Sequence, residues 1–220
     1  MTSKPSKKEL KKAKAEAEKQ KTQMLNTKRR VLEDSRAVAN LMDLIPFLQN
    51  FNHELFNAQI KSFNKVPEEY ELWMFNMITQ NMEKFYEKAW GWDAEVKEAE
   101  LYHEDSRFLI AFYRDHPIGF VHFRYELDTG ELSLFIYDIH VTEELRRQGL
   151  GKFLLQAVEF IGLKLGYDSV IVSCFKDCTV GRQFFNKYNY KLHKQSPAIA
   201  DPENEFEYHH ELLFKPLKKQ

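Results

Sequence analysis

The chain is short of cysteine and of long apolar runs. Its 220 residues include two cysteines, which are too few for a disulfide framework or a cysteine-based metal site. No apolar stretch approaches the roughly 18 residues that span a bilayer, and the N-terminus does not resemble a signal peptide. These absences predict a soluble, intracellular protein without membrane contact. Because 43% of the residues are hydrophobic, one core can be buried, and a single domain with an appendage is expected.

Charge is distributed unevenly along the chain. Residues 1–30 hold eleven Lys and Arg against three Glu, which leaves 21 basic and 30 acidic residues in the remainder. This division predicts an acidic working domain preceded by a basic arm, residues 1–30, that is flexible or helical. The arm is either a solubilising tail, a nuclear-import signal or a patch that steers the protein to the ribosome or to chromatin.

Residues 31–66 are expected to pack on the core as a helix and a strand. Apolar residues have helical spacing from Asp34 until Pro46, so the helix is predicted there. The strand is predicted over residues 57–66, where apolar and polar residues alternate.

The main domain, residues 67–217, begins with helices and continues with strands. After Pro67, apolar residues recur at intervals of three and four, which predicts a helix of about twenty residues ending near Trp90. A short helical segment over residues 94–105 follows. Three aromatic and β-branched runs, separated by turn signals at residues 115–117 and 128–130, then predict an antiparallel meander.

The last third of the chain alternates between helix and strand. A helix is predicted from about residue 151 to residue 165, followed by a strand, a helix, a strand, a polar loop and a last strand. The order of elements indicates the α/β (α+β) class. We expect a mixed, mostly antiparallel twisted sheet of about six to seven strands, flanked by helices and preceded by an N-terminal helical extension.

A glycine-containing turn lies between the third strand of the meander and the helix near residue 151. It reads Arg146-Arg147-Gln148-Gly149-Leu150-Gly151. A helix N-terminus exposes backbone N–H groups and the positive end of the helix dipole, and glycines allow a ligand to approach the backbone closely. The turn therefore suits a diphosphate, with a chance basic turn as the alternative.

The R-x-x-G-x-G pattern, placed after a strand and opening an apolar helix, resembles the coenzyme-A loop of the GNAT acetyltransferase superfamily. A second motif of that superfamily is matched by the frame that runs from Cys178 to Tyr190. The resemblance implies the GNAT fold and acetyl-CoA as cofactor. The frame departs at two positions, because Cys178 replaces an amide that contacts the cofactor and Phe185 replaces a tyrosine that often serves as general acid.

The segments FYEKAWGW, FVHFRYEL, FIYDIHVTEELRRQGLGKFL and CFKDCTVGRQFF together resemble the NatD family, the N-terminal acetyltransferases of histones. That resemblance implies acetyl transfer from acetyl-CoA to the α-amine of histones whose mature sequence starts Ser-Gly-Arg-Gly. It also implies histone N-terminal tails as partners, and a location in the nucleus and the cytoplasm.

The NatD resemblance also implies roles for individual residues. Asp138 would be the carboxylate base, acting through a water because it is shorter than the Glu common in the family. Tyr137 is the second catalytic candidate, and it can share a face with Asp138 only if the strand contains a bulge. The backbone after Asp138 would splay from its neighbouring strand and bind the pantetheine arm. The expected cofactor-binding set is Ile139, His140, Val141, Arg146, Arg147, Gln148, Gly149, Leu150, Gly151, Lys152 and Cys178.

The resemblance implies an acceptor site of aromatic and acidic side chains. Aromatic walls would enclose a Ser-Gly start that has almost no side chain to grip, and carboxylates would recognise the arginine at the third position. Without the resemblance, Tyr86 and Trp90 would be interpreted as packing aromatics. The acceptor candidates are Tyr86, Trp90, Glu126, Tyr137, Ser173 and Tyr208.

Two other functions remain open from the sequence. The chain could be a GNAT enzyme that acts on lysines or small amines, or a non-catalytic chromatin or ribosome adaptor that keeps the fold. The spacing of the histidines matches no standard zinc motif, so no metal is expected. A monomer is expected.

Overall fold

The computed structural model describes residues 7–217, in which helices cover both faces of an eight-stranded sheet. Among these helices, none is both long enough and apolar enough to cross a membrane. The helices are α1 (Lys7–Arg36), α2 (Glu68–Ala89), α3 (Ala94–Leu101), α4 (Leu150–Leu165), α5 (Thr179–Lys187) and α6 (Pro197–Ala200). The strands are β1 (Asn50–Asn52), β2 (Asn57–Phe63), β3 (Arg107–Tyr113), β4 (His116–Asp128), β5 (Glu131–Val141), β6 (Ser169–Phe175), β7 (Lys191–Leu192) and β8 (His210–Pro216).

The sheet has the order β1-β2-β3-β4-β5-β6-β8-β7. Tight turns join β3 to β4 and β4 to β5, so these strands run antiparallel. The turn between β4 and β5 has positive φ at Thr129 and Gly130, as a two-residue hairpin turn requires. β5 and β6 are parallel, because α4 carries the chain across the sheet between them.

Each face of the sheet buries its own apolar cluster. The larger cluster combines β-strand residues with Leu154 and Val158 of α4 and Phe185 of α5, and Leu32 of α1 packs on its edge. The smaller cluster, on the opposite face, contains Met74 of α2 together with residues of α3, β3 and β4. We call these the α4 face and the α2 face.

A β-bulge interrupts the ladder between β4 and β5. His122 pairs with Asp138 while Phe123 pairs with Ile136, so Tyr137 is an extra residue in β5. The bulge that the joint use of Tyr137 and Asp138 required is therefore confirmed.

Pairing between β5 and β6 is confined to a short stretch. Among the described residues it extends from Ser133 to Ile136 on β5, while β6 continues to pair with β8 as far as Phe175. The two parallel strands therefore part at the bulge, as the splayed backbone over residues 139–141 was expected to do.

Two predictions about the N-terminal region need correction. The helix predicted from Asp34 to Pro46 is wrong, because α1 ends at Arg36 and two short 3-10 helices cover residues 41–48. The side chain of Asn40 accepts a hydrogen bond from the Met42 N–H and starts the first of them. The sheet has eight strands instead of the six to seven that were predicted. The strand that the prediction lacked is β1, which is too short and too polar to give a strand pattern.

The described part of the basic arm is helical. α1 is continuous from Lys7 to Arg36, so residues 31–36, which pack against the core, belong to the same helix as the exposed basic stretch before them. Residues 1–6, where the arm begins, lie outside the described residues.

Candidate active site

The glycine turn forms an open helix N-terminus. Gly149 is the N-cap of α4 with φ of 92°, and no side chain caps the helix. Arg147 also has positive φ. A Cβ built on Gly149 would meet only the Phe51 ring, at 3.9 Å. Free N–H groups at an accessible helix N-terminus fit a diphosphate.

The gap between β5 and β6 extends from this helix N-terminus along the sheet. Beyond Ile136 the β5 backbone has no β6 partner among the described residues, and the side chains of Ile139 and Val141 pack toward the α4 face. An unpaired strand edge offers amide groups to an extended ligand, so the gap fits the amide-containing pantetheine arm of coenzyme A.

The remaining cofactor candidates lie around α4 and α5. Leu150 is buried, while a Cβ on Gly151 would touch the Phe184 ring at 3.5 Å. The Lys152 ammonium lies 6.0 Å from the centroid of the Tyr188 ring. Gln148 is half-buried. Cys178 is the half-buried N-cap of α5.

Cys174 and Phe185 are packing residues. Burial raises the pKa of the Cys174 thiol to about 12, so it stays a neutral apolar side chain near pH 7. Phe185 is buried in the α4-face core beside Tyr190, and it has no group that could protonate a leaving thiolate.

Asp138 is buried on the α2 face beneath α3. Its Oδ2 atom lies 3.1 Å from the Lys97 Nζ and 3.3 Å from the His122 Nδ1, and its Oδ1 atom lies 3.6 Å from the His140 Nε2. Burial raises the pKa of Asp138, but the Lys97 ammonium, aided by His122 and His140, outweighs it and holds that pKa well below its usual value.

Lys97 supplies the positive charge of this cluster. The ammonium also bonds to Glu100 and lies 3.4 Å from the Tyr86 hydroxyl. Glu100, His122 and Asp138 bring three possible metal ligands within 4.8 Å of one another. Because the ammonium already contacts both of those carboxylates, the position a cation would take is filled by the protein itself.

His122 is held as a neutral ring. It is fully buried, and burial lowers its pKa. Its Nε2 lies 3.0 Å from the Ser106 hydroxyl, and its ring stacks between those of Phe108 and Tyr137. The ring therefore supports both Tyr137 and Asp138 from β4.

Tyr137 joins this cluster to an acidic cavity. Its hydroxyl donates to the Glu126 Oε1 at 3.0 Å, and the Arg124 guanidinium lies 4.4 Å from its ring centroid. Burial and the Glu126 carboxylate raise the pKa of Tyr137 to about 12, so the hydroxyl stays protonated at neutral pH. Burial also raises the pKa of Glu126.

The cavity beside Glu126 has a volume of about 250 Å³. Three carboxylates line it, from Glu126, Asp128 and Glu131, which favours a guanidinium or ammonium ligand. The other lining residues are Ser133, Phe135, Ile171, His193, Gln195 and Leu212.

Aromatic rings form a wall at the end of α2. The Tyr86 ring packs edge-on against Phe175 at 4.9 Å and Trp92 at 5.4 Å, and Trp90 tilts over Phe175 at 5.3 Å. Trp90 remains 58% exposed. A large exposed ring on a buried aromatic base can contact a ligand.

Ser173 lies between the acidic cavity and the aromatic wall. It is exposed on β6, two residues from Ile171 in the cavity and two from Phe175 in the aromatic wall, so all three share the α2 face. Tyr208 donates its hydroxyl to Asp201 at 2.8 Å within the loop after α6, and among the described residues no contact joins it to Asp138 or Glu126.

Sequence reasoning missed the supporting residues Lys97, His122, Ser106 and Arg124. Lys97 lies in an ordinary charged helix segment, and nothing in its neighbourhood along the chain marks it as buried. The strand alternation around His122 could have placed it beside Asp138, but only with the register known.

Comparisons with known proteins agree with this fold. The family model described as the acetyltransferase (GNAT) family matches residues 68–190. The chain is similar to the PaiA N-acetyltransferase from Thermoplasma acidophilum, solved with coenzyme A (17% identity, 72% of this chain and 99% of that chain, TM-score 0.53). It is also similar to Ard1 from Thermoplasma volcanium (14%, 74% and 99%, 0.53) and to a GNAT acetyltransferase from Staphylococcus aureus Mu50 (14%, 72% and 99%, 0.55).

The chain belongs to the GNAT family of acetyltransferases. The α/β fold with a mostly antiparallel sheet is confirmed. The protein is an acetyl-CoA-dependent acyltransferase. The uncapped α4 N-terminus and the adjoining strand gap could hold the cofactor.

Gly149→Ala should weaken acetyl-CoA binding by roughly tenfold or more, equivalent to about 1.4 kcal/mol, because the added methyl projects at the helix N-terminus. Isothermal titration with acetyl-CoA measures this. The matched control is Gly130→Ala, since Gly130 also has positive φ (83°) and open space around a Cβ but lies in the β4–β5 turn. Equal affinity in the two variants would contradict the diphosphate placement.

Lys97→Met should lower the free energy of unfolding by about 3–5 kcal/mol, because it leaves the Asp138 carboxylate buried without a counter-ion. Adding Asp138→Asn should recover much of that loss in urea denaturation. Lys88→Met, which removes an exposed ion pair with Asp177, should change the midpoint little. A stable Lys97→Met single variant would contradict the buried pair.

The ion pair also predicts a pH dependence. The pKa of Asp138 is lower in the folded chain than its unfolded value near 3.9, so its stabilisation is present above that pH and is lost as the pH falls through the folded-state pKa. Asp138→Asn should accordingly flatten the acid limb of the stability curve.

Proposed function

We propose that this enzyme acetylates the N-terminal α-amine of polypeptides that begin with small residues followed by an arginine. The candidate substrates are histones whose tails start Ser-Gly-Arg-Gly. The observation that carries the proposal is the arrangement on the α2 face. Lys97 connects Tyr86 of the aromatic wall to the buried Asp138, and the neighbouring Tyr137 is hydrogen-bonded to Glu126 of the acidic cavity.

The order of features along this surface suits an extended peptide. The α-amine would lie near Asp138, the small first residues would pass Tyr137, and the arginine would enter the cavity at Glu126. An extended chain advances roughly 3.3 Å per residue. The side chain of the third peptide residue can therefore reach the cavity, which lies on the far side of Tyr137 from Asp138. Charge supports the same assignment, because the cavity holds three carboxylates.

The reaction does not require a strong base. An α-amine has an unperturbed pKa of about 8, so part of it is neutral at pH 7. The low pKa of Asp138 keeps its carboxylate ionised. The carboxylate would attract the α-amine and would take up a proton through a water once attack on the thioester makes that nitrogen more acidic. Acetyl-CoA would supply the activated acetyl thioester, whose C–S bond would break as the amine nitrogen bonds to the carbonyl carbon, and coenzyme A would leave as the thiolate. The unpaired β5 edge after Ile136 would hold the thioester carbonyl, with a backbone N–H stabilising the oxyanion.

On this proposal the enzyme works on histone tails in the nucleus and the cytoplasm. The exposed basic stretch of α1 would add a contact to chromatin or the ribosome, both of which carry nucleic-acid phosphates.

Acetyl transfer to a Ser-Gly-Arg-Gly peptide should occur with a free α-amine and stop when that amine is blocked, even if lysines remain free. Mass spectrometry of the product locates the acetyl group. Asp138→Asn should lower kcat by about 100-fold or more while acetyl-CoA still binds. Transfer to the blocked peptide would instead indicate a lysine acetyltransferase, and no transfer to either peptide would indicate a different acceptor.

Glu126→Gln should raise KM for the Ser-Gly-Arg-Gly peptide by roughly tenfold, because a hydrogen bond to a charged partner contributes about 1.5–3 kcal/mol. A Ser-Gly-Ala-Gly peptide should show little difference between the variants. Glu54→Gln, which removes one exposed carboxylate elsewhere, controls for net charge. Equal KM changes for both peptides would show that the arginine does not bind in this cavity.

A further inference from the structure

Arg146 of the glycine turn does not extend freely toward the helix N-terminus. Its Nε donates to the Val141 carbonyl at 3.0 Å, and its terminal Nη2 donates to the Asn81 Oδ1 at 2.8 Å. Arg146 thus braces the end of β5, where β6 pairing is absent among the described residues, against α2.

This contact determines the orientation of the Asn81 amide. A guanidinium can only donate hydrogen bonds, so the amide oxygen must face Arg146. The amide nitrogen then faces the His140 Nδ1, 3.3 Å away, and it must donate. The His140 Nδ1 is therefore an acceptor, and the neutral ring carries its proton on Nε2.

The His140 Nε2 atom is aimed at Asp138. It is buried and has no hydrogen-bond partner within the described residues, while the side chain as a whole is 9% exposed and lies 3.6 Å from the Asp138 Oδ1. The Phe120 ring lies beside it at 5.5 Å. A closure of a few tenths of an ångström would complete the bond.

The two oxygens of Asp138 are not equivalent. Oδ2 is held by Lys97 and His122, at 3.1 and 3.3 Å, whereas Oδ1 faces His140 alone among the contacts described. Oδ1 is therefore the oxygen left for an incoming proton. A neighbouring N–H attracts that oxygen, and a nitrogen lone pair in the same place would repel it.

We propose that Arg146, Asn81 and His140 are positioning residues that connect the cofactor loop to the Asp138 carboxylate, by holding the His140 tautomer whose Nε2–H points at Oδ1. The proposal rests on the role of Asp138 in the proposed function. It makes Asn81 and His140 part of the apparatus that orients the base, and it gives Arg146 a role other than direct contact with the diphosphate.

The variant Asn81→Asp changes the middle residue of the hydrogen-bonded series Arg146–Asn81–His140. The aspartate keeps an acceptor for Arg146 but places a second acceptor opposite the His140 Nδ1, so Nδ1 must become protonated. Nitrogen-15 NMR of histidine-labelled full-length enzyme should show an unprotonated Nδ1 at His140 in the native enzyme and a protonated one in the variant. A native ring protonated on Nδ1 would overturn the proposal whatever the activity.

Steady-state kinetics provide the second readout. Asn81→Asp should lower kcat by about tenfold or more, a fraction of the effect of a general base itself, with KM for acetyl-CoA unchanged. In an Asp138→Asn background the same change should have no further effect, because both act through one carboxylate. Asn76→Asp, an exposed position on the same helix, is the matched control and should leave kcat unchanged.

The failure of this inference and of the proposed function can be told apart. Undiminished kcat in Asn81→Asp, or additive effects of Asn81→Asp and Asp138→Asn, would overturn the positioning chain. Unchanged turnover in Asp138→Asn alone would refute the base, while the NMR result would still decide whether Asn81 sets the tautomer of His140.

Discussion

One extra residue in β5 decides how the rest of the site is arranged. In a regular strand, side chains two residues apart share a face, so Asp138 would follow Leu134 and Ile136 into the apolar core against α4. The bulge at Tyr137 reverses the alternation of side chains between the two faces. It sends Asp138 and His140 to the α2 face and leaves Ile139 and Val141 on the α4 face.

The bulge also marks where β5 leaves β6. A strand edge that loses its partner exposes unpaired amide groups, and here that edge leads to the uncapped N-terminus of α4. The cofactor region and the carboxylate cluster are therefore two sides of the same five residues of strand, 137–141. Arg146 ties their far end to α2 through Asn81.

Burying Asp138 is costly, and the surrounding structure offsets that cost. A carboxylate removed from water needs a partner and hydrogen bonds, which Lys97 of α3 and His122 of β4 supply. The ion pair holds α3 against the sheet together with Leu101, which α3 contributes to the smaller apolar cluster. The surface that would receive the acceptor is thus built on a paired charge as well as on apolar packing.

Local sequence determined the elements and the glycine turn, because hydrophobic periodicity and positive-φ glycines act over a few residues. It identified α2, the meander, α4 and the Gly149 turn, and it singled out Asp138 as an acidic residue in an apolar strand. It failed at the helix expected from Asp34, where a side-chain cap overrode apolar spacing. Only the tertiary structure brought Lys97, His122 and Asn81 to Asp138, because those contacts depend on strand register and on how helices pack across the sheet.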